Sequence, residues 1–504
     1  MISRVGSVVF DGMITKYVDV QASLSSGLPA FNIVGLGDKA VSESKERLRS
    51  AFYSLSLSFP LARITINLSP ADLTKEGSHF DLPIALAILG AMGVINKEEL
   101  IKYIAIGEIA LDGEIKDVNG CLAGSIYALQ NNYGFIFPQN QCNEMYFVKN
   151  KIKLLPSGNL IDIINHFNGN SIIEESKFNF DGVVQEPQKF VNIGDIKGHK
   201  VAKEALQVVA AGRHNLLMIG HPGSGKSMLA NALGGLLPQL STQEALEVSL
   251  IYSIAGELNN KSLITQRPFR SPHHSASAPS LVGGGQKAKA GEITLAHKGV
   301  LFLDELPEFS QNILDTLRQP IETGIINISR VNFHYTYPAD FQLVGAMNPC
   351  KCGYFGDSQR ECSKVPLCAN NYINKVSGPI MDRIDVILDV PSVDVSQLNE
   401  QSDKNLLQKM QSNIAKAREI QQHRYEKYNI LTNSQASSEI LEETANLDLK
   451  AKELLQNSVE KFRLSSRAYF RLIKVARTIA DLDSSSNINK NHISQAIFYR
   501  KINS

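Results

Sequence analysis

Over the first seventy residues, short apolar runs alternate with polar positions at the two-residue period of half-buried strands. VGSVVF, YVDVQASL, PAFNIVGL and ARITINL are each bounded by Gly or Pro, and AVSESKERLRSAFYSL between them has the 3.6-residue period of an amphipathic helix. DLPIALAILGAMGVI (81–95) is apolar almost all round, which predicts a core helix. It is shorter than the roughly 18 residues that a bilayer span requires. IAIGEIALDGEIKDVNG (104–120) reads as a hairpin with Asp112-Gly113 at its tip. Periodicity then lapses over 171–192.

Beyond that break, DIKGHKVAKEALQVV predicts a helix starting at Asp195, and NLLMIG a buried strand. VLFL and FQLVGAMN predict further buried strands, with a helix over Phe309–Glu322 and a hairpin near Ile325–Asn332. From Ser392 the pattern is helical and charged to the end. These shifts divide the chain into an α/β domain over 1–170, a linker over 171–192, an α/β core over 193–391 and a helical lid over 392–504. A length of 504 residues is too much for one core and fits about three domains.

Composition narrows this little. Apolar content is 43 % and charged content 20 %, as in ordinary globular chains, and 51 Lys+Arg against 50 Asp+Glu leave net charge silent about nucleic acid. The N-terminus MISRVGSVVFDGM has no signal-peptide apolar core, so a cytoplasmic location with no membrane partner is expected. There the six cysteines read as thiols or metal ligands.

The chemistry centres on Asn215–Leu236. Gly220, His221, Pro222, Gly223, Ser224, Gly225, Lys226 and Ser227 fit the G-x-x-x-x-G-K-[ST] spacing between a strand and a helix. Glycines let backbone N–H groups turn toward phosphate oxygens, Lys226 supplies a point charge, and Ser227 a hydroxyl for Mg²⁺. The expected cofactors are ATP and Mg²⁺. Gly198-His199 falls near where an adenine would lie, although any helix start has similar letters. Asp304 and Glu305 end the strand VLFL. Asp304 can hold the Mg²⁺ shell, and Glu305 can activate the attacking water. Asn348 closes the third buried strand, where a polar side chain can sense the γ-phosphate; a turn asparagine is the competing reading.

Between the two motifs, residues 261–298 hold Lys261, Arg267, Arg270, Lys287, Lys289 and Lys298 against Glu292 alone, with His273-His274 and three consecutive glycines. This is either a solvated loop or an inserted hairpin gripping phosphate backbone, with Arg270, His273, His274 and, from the later hairpin, Arg330 as contacts. Cys350, Cys352, Cys362 and Cys368 could hold Zn²⁺, or form a loop of reduced thiols. Arg383 lies between Asp382 and Asp385, and is either a local ion pair or a finger completing a neighbouring subunit's site. Ser465 or Ser466 caps a helix whose Arg467, or Arg471 one turn on, can act as a second sensor.

As an ordered set, GHPGSGKS, RPFRSPHH, VLFLDE, GAMNPCKCG, SGPIMDRID and SSRAYFRLIKVARTIADL resemble the YifB/ComM family of magnesium-chelatase-like AAA+ ATPases over the whole chain. The resemblance implies an α/β multidomain fold: a Lon-protease-like N-terminal α/β domain, an AAA+ core with a parallel sheet, and a C-terminal helical lid. It also implies an ATP-dependent homohexamer on single- or double-stranded DNA, with recombination proteins as partners in branch migration during natural transformation. Proteolysis is not expected, because TKEGSHFD puts His79 at the nucleophile position, with Ser78 one place early, and GCLAGSIYAL lacks a lysine. A magnesium-chelatase motor subunit and an ATP-dependent remodeller of a protein partner are the competing functions.

Overall fold

The computed structural model describes residues 2–178, 188–258, 263–284, 289–330, 333–355, 366–399 and 401–500. The chain forms two compact units, Met1–Pro187 with Ser241–Thr265, and Gln188–Leu240 with Gln266–Ser504.

In the first unit the alternating N-terminal segments become β1 (Ile2–Asp11) and β2 (Ile14–Ser25), an antiparallel pair turning at Gly12. Next come β3 (Ala30–Val34), β4 (Arg63–Ser69), β5 (Tyr103–Ala105), β6 (Glu108–Ile109), β7 (Ile115–Lys116), β8 (Gly134–Pro138) and β9 (Leu154–Ser157). The main sheet runs β3-β4-β2-β1-β5-β8-β9, and β6 pairs with β7 in the expected hairpin. The all-apolar segment is a helix, Asp81–Met92, with every residue but the last buried against β1 and β2. Asp38 caps the amphipathic helix Lys39–Ser54 by accepting from Val41 N.

The segment Ser241–Thr265, expected inside the 193–391 core, belongs to this first unit. Its helix Thr242–Ala255 starts with a Ser241/Glu244 capping box. It packs on the helix Cys121–Gln130: Gly120 N donates to the Ser253 carbonyl at 2.8 Å and Leu122 N to Ser253 Oγ at 3.2 Å. The backbone ahead of that helix thus finds acceptors on the later segment, which sequence periodicity cannot reveal.

The second unit has β10 (Leu216–Ile219), β11 (Phe269–Arg270), β12 (Gly283–Gly284), β13 (Lys289–Ala290), β14 (Val300–Leu303), β15 (Ile325–Arg330), β16 (Phe333–Pro338), β17 (Gln342–Met347) and β18 (Val386–Asp389). A five-stranded parallel sheet runs β11-β14-β17-β10-β18. β12–β13 and β15–β16 form separate hairpins. The strand reached from the phosphate-loop helix lies away from β10, so β14 and β17 end beside the loop that follows β10.

The C-terminal helices Leu406–Tyr425, Leu449–Phe462, Ser466–Leu482 and Lys490–Phe498 share one apolar core with this sheet, including Ile414, Ala417, Val475 and Ile493. Arg418 and Gln421 donate to the carbonyls of Ala210 and Ala211, satisfying the last turn of the helix Lys200–Gly212. Ser465 caps the helix Ser466–Leu482 through Ala468 N. Two boundaries differ from the sequence reading. The helix expected from Asp195 begins at Lys200, because Gly198 and His199 both take left-handed φ, 59° and 52°. The helix expected over 309–322 is two short ones, Gln311–Thr316 and Arg318–Thr323. Among the described residues no helix is long and apolar enough to cross a membrane.

Candidate nucleotide site and the thiol cluster beside it

β10 runs into the loop 220–225, and the helix Lys226–Leu236 starts directly after it. Gly223 and Gly225 have φ of 77° and 83°, a region in which a Cβ is strained, so the spacing of glycines is a backbone requirement. Lys226 is 8 % exposed, and its ammonium donates to the carbonyls of Gly220 (2.8 Å) and His221 (2.9 Å) and to Asn348 Oδ1 (3.2 Å). Burial pulls its proton affinity below the ordinary lysine value, opposed by the carboxylates of Asp304 and Glu305. Ser227 Oγ donates to Asp304 Oδ2 at 2.7 Å. The loop, the tip of β14 and the end of β17 are therefore joined by hydrogen bonds. Ser224 Oγ is buried with no hydrogen-bond partner among the described residues. His199 lies on the loop: its ring bonds the Ser224 backbone, and burial lowers its proton affinity. The residues fit a magnesium nucleotide: turned amides, a cation, a hydroxyl and a carboxylate converge on one loop.

Glu305 has left-handed φ of 52°, and its Oε2 lies 3.3 Å from His274 Nδ1. His274 lies against His273 with ring centroids 4.1 Å apart and the planes tilted by 33°, beyond the end of β11. This link between the basic stretch and the acidic strand tip was not foreseen; residues thirty apart in sequence gave no signal for it.

Arg270, expected as a nucleic-acid contact, is instead engaged in a bidentate pair with Glu292, at 2.6 and 2.7 Å. Arg267 donates to the carbonyls of Pro238 and Lys298, and Lys298 pairs with Asp340 at 3.0 Å. The excess positive charge of the stretch is thus partly internal scaffolding. Lys261 and Lys287 lie outside the described residues, as do the side chains of Lys289 and Arg330.

Arg383 is buried (7 % exposed). It pairs with Glu322 rather than with Asp382 or Asp385, and donates to the Pro379 carbonyl at 2.6 Å, while its Nε has no partner among the described residues. Arg467 is 63 % exposed, with Glu322 3.8 Å away. Arg471 is committed to Asp385 and to the Arg383 carbonyl. Burial would raise the Asp385 carboxyl, but its bond to His214 and the charge of Arg471 hold it well below the usual range. Arg383 and Arg467 therefore meet at Glu322, apart from the Lys226–Asp304 group. Asn215, just ahead of β10, ties Arg383 to the sheet: it donates to the Arg383 carbonyl (3.0 Å) and accepts from Leu343 N (2.9 Å).

Two residues after Asn348, the chain turns through Cys350 and Cys352. Their sulfurs are 3.0 Å apart, and the sulfurs of Cys350, Cys352 and Cys368 lie within 4.8 Å of one another. Cys362 lies outside the described residues. Three thiols at that spacing suit a thiophilic tetrahedral cation, for which Zn–S bonds of about 2.3 Å give sulfurs about 3.8 Å apart.

In the first unit, His79 is buried and its Nε2–H donates to the Val8 carbonyl at 2.9 Å, while Ser78 Oγ bonds Glu108. Burial pulls the His79 imidazole down to about 4.

Family models match along the chain: magnesium chelatase, subunit ChlI, over residues 192–398; subunit ChlI of Mg-chelatase over 20–141; and the ChlI C-terminal model over 406–500. The chain is 40 % identical over 497 residues to the competence protein ComM of Haemophilus influenzae, covering 97 % of this chain and 95 % of that one. It is 39 % identical over 490 residues to the protein YifB of Escherichia coli, covering 96 % and 94 %. Similarity to the magnesium-chelatase 67 kDa subunit of Chlorobaculum parvum is 26 % over 158 residues, 31 % of this chain and 23 % of that one. With its phosphate loop, its acid-tipped strand and these full-length matches, the chain belongs to the YifB/ComM family of magnesium-chelatase-like AAA+ ATPases.

Proposed function

We propose that the protein is an ATP-driven hexameric motor on DNA, a helicase or branch-migration factor supporting recombination in natural transformation. The observation that carries this reading is the hydrogen-bonded join of phosphate loop and acidic strand, Ser227 to Asp304 and Lys226 to Asn348, in a chain aligned over 97 % of its length with a competence protein. Bound MgATP supplies the phosphoanhydride whose cleavage drives the motor. The amides of Gly220–Ser227 cradle its phosphates. Lys226 moves from the Gly220 and His221 carbonyls to neutralise them, and Ser227 and Asp304 are the residues that would hold Mg²⁺. Glu305 takes the proton of the attacking water, which Asn348 orients. Arg383 leaves Glu322 to offset charge in an adjoining protomer's site, and Arg467 closes over the nucleotide from the helical side. His273, His274 and Arg330 contact the DNA backbone, with Arg270 fixing the root of their loop through Glu292. The cytoplasm is its place of action, with recombination proteins as partners.

The test is ATP turnover with and without single-stranded DNA, together with strand separation on a forked duplex. Stimulation and unwinding that Glu305→Gln abolishes, with ATP retained, are expected. A turnover rate indifferent to DNA and an intact fork would overturn the reading. The chelatase description of the family models favours one rival, a motor that works on a porphyrin-metallating partner. Turnover that responds to such a partner and ignores DNA would decide for it. A remodeller docking through the first unit is tested with the full chain, because residues 1–170 lack the Ser241–Thr265 segment of that unit.

A further inference from the structure

The turn that carries Cys350 and Cys352 is bonded to the phosphate loop. The Gly353 carbonyl accepts from His221 Nδ1–H at 2.7 Å, which fixes the imidazole tautomer, since a carbonyl only accepts. Gly353 has φ of 88°, and a Cβ there would sit 2.6 Å from Pro222 Cγ. Turn and loop thus touch at two consecutive loop residues. A second strut runs from the same turn: Asn348, two residues before Cys350, accepts from Lys226. The conformation of Asn348–Gly353 therefore bears on both the floor and the cation of the loop.

That turn is closed by its own backbone, Gly353 N donating to the Cys350 carbonyl at 3.0 Å. Cys368, at the start of the helix Leu367–Ile373, brings a third sulfur from another element. Three thiols from two segments converge, one buried, one partly buried and one exposed. The exposed Cys352 gives a cation an entry route. The 3.0 Å approach of Cys350 and Cys352 needs to open by under an ångström to reach the tetrahedral spacing.

We propose that Cys350, Cys352 and Cys368 bind one thiophilic divalent cation, Zn²⁺ by ligand chemistry, and that this cation holds the phosphate loop in place through Gly353 and His221. Each thiol that binds releases its proton to solvent, and the cation takes the sulfur lone pairs without change of oxidation state. The cation joins the Cys350 turn to the helix of Cys368, which turns a short, locally held turn into a cross-linked one. Without it, that cross-link between the two segments is lost. The loop-holding half of the proposal rests on the nucleotide-site reading; the metal half does not.

The experiment uses the full chain, with elemental analysis, Co²⁺ substitution and hydrogen exchange. Protein incubated with Zn²⁺ and desalted should retain one equivalent per chain, and Co²⁺ should give a thiolate charge-transfer band. Cys352→Ser should lose both with its melting transition retained, whereas Cys142→Ser, outside the cluster, should keep both. Stripping the metal from wild type should speed amide exchange over 220–227 and weaken binding of a fluorescent ATP analogue by about fivefold, what losing one ordinary hydrogen bond does. Adding Zn²⁺ back should restore both. Absence of stoichiometric metal and of the cobalt band overturns the site. Metal present with loop exchange unchanged on stripping overturns the coupling. Failure of the metal-loaded wild type to bind nucleotide at all counts against the nucleotide reading instead, and the exchange measurement still decides the coupling.

Discussion

The contact between His274 and Glu305 gives a quantitative test of how the basic loop and the hydrolytic carboxylate are connected. His274→Ala removes a partner 3.3 Å from Glu305 Oε2 and leaves the left-handed backbone of Glu305 as it is. The side chains are 35 % and 51 % exposed, so solvent screens the pair. Such pairs are worth about 0.2–1 kcal/mol. If the imidazole merely holds the carboxylate aside, freeing it lowers the barrier by no more than that, a rise in basal rate of at most about fivefold. The assay is steady-state hydrolysis at saturating MgATP, with and without single-stranded DNA, at two salt concentrations. The expected result is a modest rise in basal rate and a smaller stimulation by DNA, since the loop no longer reaches the carboxylate. A basal rate more than tenfold lower would refute the reasoning, because the imidazole would then be needed for the chemistry itself. So would a variant identical to wild type in both rate and stimulation.

Three further outcomes are expected. Lys226→Ala should abolish nucleotide binding, because Lys226 is the cation that bonds both the loop carbonyls and Asn348; calorimetry showing wild-type affinity would contradict the assignment. Arg383→Ala should keep nucleotide binding while turnover falls by about a thousandfold or more, as loss of a charge-offsetting arginine does. Mixing with Glu305→Gln protein should restore some turnover, whereas loss of the folded state on melting would make Arg383 a purely structural partner of Glu322. Burial holds His79 near 4, below the ordinary 6.5, so its neutral form contributes fully above pH 6.5 and that contribution drains away as pH falls toward 4. At about 1.4 kcal/mol per pH unit this amounts to about 3 kcal/mol. Glu144, raised to about 7 mainly by burial, acts in the opposite sense between pH 7 and 4.5, so the measurement is the difference between His79→Gln and wild type across that range. Parallel pH profiles of denaturant midpoints would rule out the effect.

Much of the site was legible because each motif states its own backbone demand. Gly223 and Gly225 announce left-handed turns, Lys226-Ser227 a helix start, and VLFL ending in Asp304 a buried strand with its acid at the mouth. What stayed hidden depends on approach through space. Arg270 looked free in a basic stretch because the sequence shows charge and not the bidentate bond to Glu292. For Arg383 the letters allow a local ion pair or a finger for a neighbouring subunit, and they do not show Glu322, with which it pairs while donating to the Pro379 carbonyl. The Lys200 start is hidden since Asp195 is a good cap by type, while the left-handed φ of Gly198 and His199 leaves no letter that distinguishes it. His221 bonding to Gly353 had no sequence signal at all, since a histidine inside a phosphate loop is compatible with any partner.

The excursion of Ser241–Thr265 into the first unit constrains how the nascent protein matures on the ribosome. The N-terminal unit has all of its residues only once residue 265 has left the exit tunnel, by which time the phosphate loop and its helix are already synthesised. Until then the Gly120 and Leu122 amides lack the Ser253 acceptors. Translation therefore delivers the helix Thr242–Ala255 to a sheet synthesised well before it, with the phosphate loop emerging in between. A fragment cut at residue 170 or 187 lacks that helix.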